Sequence, residues 1–253
     1  MISKHISLFS AITVVLLIAG CKGDTGPAGP SLTGNMTGFV TLFQSDGSGA
    51  TDKSGVTVSI QGTSLSATTD STGKWSMNGL TTGSYTVTYT KVGYGMTEQQ
   101  GVQFVGGDEA YFLGKILMSE PPNFSVSLDP IKTVADSNAF VVWFKVNAMQ
   151  WTEVYGLIAV GTDSNVNGAD PTKYLFSTMS LVDNFLGTPD TSAQEISISE
   201  STLQAAGFIS GEPAYVVVYP LGTKYSSYLD HTTGRTAYTS LGAPSSVIRL
   251  IVP

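Results

Sequence analysis

Apolar and polar residues alternate in short runs along most of this chain. Val56, Val58 and Ile60 alternate with Thr57 and Ser59, and the same rhythm recurs at Tyr85, Val87, Tyr89 and at Phe124, Val126, Leu128. A period of two, broken by Gly, Asp, Asn and Pro, predicts half-buried strands rather than helices. Gly38 to Phe43 reads as a first strand, and Ala67 to Met77 as two strands joined by the tight Asp70–Gly73 turn. Ala139–Val146 (AFVVWFKV) and Val154–Val160 (VYGLIAV) are apolar on both faces. Tyr174–Leu181, Gln194–Ser199, Ala214–Tyr219 and Val247–Val252 complete the set, with loops at 161–173, 182–193 and 220–244. Proline is excluded from central strands, so Glu120-Pro121-Pro122 marks a linker. The expectation is an all-β chain: two tandem antiparallel β-sandwiches, residues 34–119 and 123–253, behind a different N-terminal segment.

That segment has no alternation. Lys4 and His5 precede Ile6–Gly20, which is uncharged and mostly aliphatic. Its length suits a signal-peptide core and falls short of the roughly 20 residues of a membrane span. It ends Ile18-Ala19-Gly20-Cys21, which resembles the lipobox of bacterial lipoproteins. The resemblance implies a signal peptide over residues 1–20, cleavage before Cys21 and a diacylglycerol on its thiol. The protein would then be exported and lipid-anchored in the cell envelope, at the outer membrane. Residues 21–33 follow as a tether. Glycines at 23, 26 and 29 with Pro27 and Pro30 are similar to collagen repeats, but three triplets are too few for a triple helix.

The blocks of the first unit are Gly38-Phe39-Val40, Gly55 to Thr63, Thr69 to Met77, Gly79 to Val87, and Gly93-Tyr94. In that order they resemble the carboxypeptidase regulatory-like family, which implies a transthyretin-like sandwich with a structural role. Trp75, Leu80 and Tyr85 would lie in its core. The lysine–asparagine crosslink of some relatives is not expected, because Phe39–Phe43 contains no lysine. The second unit resembles a fibronectin type III or related immunoglobulin-like sandwich. Trp143, Ile196-Ser197-Ile198, Leu203 and Gly211 to Tyr219 carry that likeness, and Tyr215 would be its corner tyrosine.

Charge and chemistry narrow the function. Lys4 is the single charged residue of the signal segment, so its removal leaves 11 Lys+Arg against 19 Asp+Glu, a formal charge of −8. Nucleic acid wants clustered basic residues and is excluded as a partner. Cys21 is the only cysteine, so its acylation leaves no thiol for a disulfide or a nucleophile. Beyond the signal segment the one histidine is His231, beside Asp230, and no G-x-S-x-G elbow accompanies it. No catalytic residues are assigned, and no cofactor is required.

Asp163, Asn165, Asn167 and Asp170 place oxygen-bearing side chains with Gly168 at the sixth position, echoing the start of a calcium loop. The twelfth position, where a glutamate belongs, is Tyr174; an Asn/Asp-rich turn between strands is the competing reading. Tyr225, Tyr228 and Tyr238 sit in the long 220–244 loop and are candidates for a binding surface, or for packing that loop onto its sandwich. The expectation is a non-enzymatic envelope lipoprotein, held to the membrane by its lipid, presenting β-sandwiches to a protein or glycan. The alternative is an accessory carbohydrate-binding lipoprotein of a glycan uptake system.

Overall fold

The computed structural model describes residues 32–130, 132–134, 139–147, 153–183 and 193–253. Cys21, the signal segment and most of the tether fall outside them. The described chain is nearly all strand and forms two β-sandwiches.

The first sandwich contains β1 (Thr33–Phe43), β2 (Thr57–Ile60), β3 (Ser66–Thr68), β4 (Lys74–Thr81), β5 (Gly83–Thr90), β6 (Thr97–Phe104) and β7 (Tyr111–Ser119). One sheet has the order β4-β1-β7 and the other β3-β2-β5-β6. Alternation on β1 sends Met36, Val40 and Leu42 inward, where they meet Val56, Val58, Ile60, Trp75, Leu80 and Tyr89. Trp75 and Tyr89 pack edge to face with ring centroids 6.1 Å apart. The Asp70 turn closes as its sequence predicts: Asp70 Oδ1 accepts from Thr72 N at 2.9 Å and from Lys74 N at 3.0 Å. Gly73 completes the turn at a φ of 87°, and a Cβ there would lie 2.1 Å from the Val40 carbonyl oxygen. Only glycine fits both constraints.

One pairing departs from the antiparallel expectation. β1 and β7 run parallel, from Met36 opposite Tyr111 to Phe43 opposite Ser119. The chain therefore enters this sandwich at one pole and leaves at the other.

The second sandwich contains β8 (Ser125–Leu128), β9 (Lys132–Val134), β10 (Ala139–Asn147), β11 (Glu153–Gly161), β12 (Phe176–Asp183), β13 (Ala193–Ser199), β14 (Pro213–Gly222), β15 (Ser227–Asp230), β16 (Arg235–Tyr238) and β17 (Ile248–Ile251). A short helix α1 (Glu200–Ala205) lies between β13 and β14, capped by Ser199 Oγ, which accepts from Thr202 N. The sheets are β8-β10-β13, with β9 also on β10, and β12-β11-β14-β17.

Phe140, Val142, Phe144, Ile158, Val216 and Val218 fill the space between these sheets. A separate cluster of Leu157, Ala159, Val217, Tyr219 and Leu221 belongs to the opposite face of β11 and β14. Val166 and Tyr174 of the β11–β12 connection and Tyr238 of β16 pack into that cluster. Both faces of these strands are thus covered, and this is why their sequences are continuously apolar.

Candidate functional site

The residues 220–244, read from sequence as a long loop, carry the hairpin β15–β16. It belongs to the connection between β14 and β17, and it reaches the first sandwich. Thr97 Oγ1 of β6 donates to the Ser227 carbonyl at 2.7 Å, and the His231 amide donates to Gln100 Oε1 at 2.9 Å. Thr239 Oγ1 donates to the Met96 carbonyl. At the centre, Ser226 Oγ accepts from the Ser119 amide at 2.7 Å, and the Ser226 amide donates to Ser240 Oγ at 2.7 Å. Thr97, Ser119, Ser226 and Ser240 are all buried. A polar group out of water must be bonded, so these hydroxyls satisfy backbone groups that a closed seam would otherwise strand.

Close backbone approach completes the seam. A Cβ on Gly95 would lie 2.6 Å from the Thr239 carbonyl carbon and 2.7 Å from the Ser240 nitrogen. Lys224 of the second sandwich sits over the Phe43 ring of the first, 6.0 Å from its centroid. The linker is pinned as well: the Glu120 amide donates to the Phe43 carbonyl at 3.0 Å, and Glu120 Oε2 accepts from the Ser45 amide at 3.1 Å. Burial pushes the Tyr94 hydroxyl pKa up, and the nearby Glu120 carboxylate adds to the rise. A cleft of about 50 Å³ lies at the seam, between Phe124, Val154, Asp46 and Glu153.

The tyrosine candidates separate. Tyr238 is buried in the outer cluster of β11 and β14. Tyr225 is half-buried, with its ring 6.1 Å from that of Tyr238. Tyr228, also half-buried, lies among carboxylates: burial raises its hydroxyl pKa, and Glu98, Asp230 and Asp170 raise it further. The corner candidate Tyr215 is partly buried against the outer cluster.

The calcium candidates use their oxygens locally. Asp163 Oδ1 accepts from the Asn165 amide at 2.7 Å, and Asn167 Oδ1 from the Ala169 amide at 2.9 Å. Asp170 Oδ1 accepts from the amide and hydroxyl of Thr172 at 2.9 and 2.7 Å. These bonds hold the Asp170 carboxyl below its ordinary pKa, the Thr172 hydroxyl contributing most. Such bonds to an amide two residues on are Asx turns, which recur at the same spacing as calcium ligands. Among the described residues no group of three or more His, Cys, Asp and Glu side chains is gathered to hold a metal. His231 lies against Gly101 of β6, so its place is in the seam. Cys21 lies outside the described residues.

Residues 36–112 match the Carboxypeptidase regulatory-like domain family, a stretch from β1 to the start of β7. No curated protein matches the chain. Among solved structures, an N-terminal interface mutant of a type II cohesin–X-dockerin complex from Acetivibrio cellulolyticus is 28% identical over 35% of this chain and 58% of that chain, with a TM-score of 0.30. The chain thus spans little more than half of that protein. A DUF3823 family protein from Parabacteroides merdae is 13% identical over 87% of this chain and all of that one, with a TM-score of 0.32. A Bacteroides uniformis protein provisionally assigned to carbohydrate binding is 14% identical over 87% of this chain and 99% of that chain, also with a TM-score of 0.32.

Proposed function

We propose that this protein is an exported, lipid-anchored envelope lipoprotein that holds a binding surface at a fixed distance from a membrane and does not itself catalyse a reaction. The observation that carries the reading is the parallel pairing of β1 with β7. An entry strand and an exit strand that run the same way make a module that adds its full length to the chain. At roughly 3.3 Å per residue, β1 alone contributes about 35 Å. The buried hydroxyl seam then sets the second sandwich at the exit pole, with its β15–β16 hairpin running back along β6 as far as Gly101, instead of leaving it on a free linker. The lipobox-like ending at Cys21 supplies the anchor.

The second sandwich is the presented part. Its order, β8-β10-β13 facing β12-β11-β14-β17, supports an immunoglobulin-like assignment of the fibronectin type III kind. Its partner is a protein or a glycan. The test is protease shaving of intact cells beside a Cys21→Ser variant. The proposal expects the acylated protein in the membrane fraction and the variant released from it. Equal release of both overturns the anchor.

Glycan capture is the second reading, favoured by Tyr228. This ring is only partly buried and lies beside Glu98, Asp170 and Asp230, whose carboxylates can accept sugar hydroxyls. Polysaccharide binding lost in Tyr228→Ala would support it, and binding unchanged by that substitution would remove Tyr228 from the account.

A further inference from the structure

At the pole where the chain enters the first sandwich, Thr82 ties two distant segments together. Its amide donates to the Leu32 carbonyl at 2.8 Å, and its hydroxyl lies 3.0 Å from that oxygen and 2.9 Å from the Val105 carbonyl. Leu32 and Val105 are thereby fixed side by side, with side chains 54% and 68% exposed. Tyr111 and Phe112 open β7 at the same pole and are 38% and 58% exposed. They too are held: Tyr111 packs edge-on against Phe104 at 5.9 Å and Phe112 against Phe39 at 6.2 Å. Single exposed apolar residues are ordinary, but four held at one end of a sandwich, with Tyr111 and Phe112 on the two faces of β7, give that end an apolar rim.

Position in the chain selects the occupant. Cys21 stands 11 residues before Leu32. At no more than about 3.5 Å per residue, that segment reaches under about 40 Å. If Cys21 is acylated, as proposed above, this pole is the part of the described chain tied closest to lipid. Its charges choose the kind of lipid. Asp108 and Glu109 are exposed at the same pole, while Lys74 and Lys115 lie opposite Phe39, further along β1. Anionic headgroups would be repelled, and neutral ones would not. We infer that this pole seats on a zwitterionic membrane surface, with Leu32, Val105, Tyr111 and Phe112 at the boundary between headgroups and acyl chains. The inference rests on the proposed anchor at Cys21. Half-buried aromatics and aliphatics at that boundary are the usual means of interfacial binding.

The test uses full-length protein purified in its acylated form and reconstituted in phosphatidylcholine–phosphatidylethanolamine vesicles. Acylation blocks Cys21, so Val105→Cys provides a single thiol for an environment-sensitive fluorophore. Val92→Cys is the control: Val92 is 98% exposed and follows β5, at the opposite pole. The inference expects the probe at 105 to shift to the blue and lose most of its quenching by aqueous iodide, while the probe at 92 stays in water. Phosphatidylglycerol in the vesicles should weaken the effect at 105. Probes at 105 and 92 reporting the same aqueous environment, on protein that still floats with the vesicles, would overturn the seating and leave the anchor intact. Shielding at 105 in a Cys21→Ser chain without vesicles would make the pole a contact between copies of the chain and overturn the lipid assignment. Protein that does not float and carries no lipid on Cys21 contradicts the anchor and the seating together.

Discussion

The two sandwich cores and the seam between them are built from opposite chemistries. The cores are aliphatic and aromatic throughout: Phe140, Phe144, Ile158 and Leu203 in one, Trp75, Tyr89, Leu42 and Met118 in the other. The seam is made of serine and threonine hydroxyls facing backbone amides and carbonyls. Apolar burial has no direction, so a core tolerates small rearrangements of its side chains. A buried hydroxyl has one or two partners at fixed distances and fails if they move. The cores therefore stabilise each sandwich, while the seam contributes orientation. For a protein whose proposed task is to hold one end away from a membrane, orientation is the property that matters.

Substitutions can separate the two contributions. The largest loss is expected from Phe144→Ala, which empties part of the second core and should cost about 3–5 kcal/mol, read by denaturant unfolding. A seam change should be smaller and different in kind. Ser226→Ala leaves the Ser119 amide without its partner and should cost about 1–3 kcal/mol. Gly95→Ala drives a Cβ into the Thr239–Ser240 backbone and should part the sandwiches while sparing both cores. For either seam variant, proteolysis at Glu120–Pro122 should speed up with unchanged circular dichroism. A global loss of structure instead would merge the seam with the cores.

Acid should weaken the turns before either region. Asp46, Asp52, Asp70, Asp170 and Asp230 are held below the ordinary aspartate value of 3.8 mainly by hydrogen bonds within their own turns. A carboxylate whose folded pKa is depressed stabilises the fold above its unfolded value, and that contribution is lost as pH falls through the folded value. Thermal stability should hold from neutral pH to about 4 and decline below the ordinary 3.8. Exposure keeps each increment small. A decline that begins near pH 6 would point to a group other than these. The smallest expected effect is that of calcium. With one oxygen each of Asp163, Asn167 and Asp170 bonded within its own turn and no third acidic side chain gathered beside them among the described residues, roughly millimolar calcium should leave the melting temperature unchanged. A rise would make the loop a metal site.

Much of the first sandwich was legible in the sequence, because its strands bury one face and its turns use residues with a specific geometric need. The Asp70–Gly73 turn and the Val56–Ile60 alternation are the clear cases. β6 and β7 were not. Thr97–Phe104 opens with four polar or small residues, and Tyr111–Ser119 is apolar toward solvent as well as toward the core. The seam was hidden for a related reason. Ser226 and Ser240 lie in a stretch whose composition is that of a solvated loop, and only tertiary contact makes their hydroxyls interior groups. For Tyr238 the sequence left a binding surface and packing onto the sandwich both open, because the apolar outer face of β11 and β14 that receives it lies elsewhere in the sequence. The Asp163–Asp170 spacing suits both a calcium loop and a chain of Asx turns, because the two place oxygens at similar intervals.

The central claim is that the two sandwiches form one rigid spacer, and the distance across it tests that most directly. Spin labels at Val105 and Ile209 would report it; Val105 is at the entry pole of the first sandwich, Ile209 follows α1 in the second, and both are exposed. Cys21→Ser would leave these as the only labelled thiols. The account predicts a single narrow distance distribution, broadened by Gly95→Ala. A broad or two-peaked distribution in the otherwise unaltered chain would place a hinge at Glu120–Pro122 and contradict it.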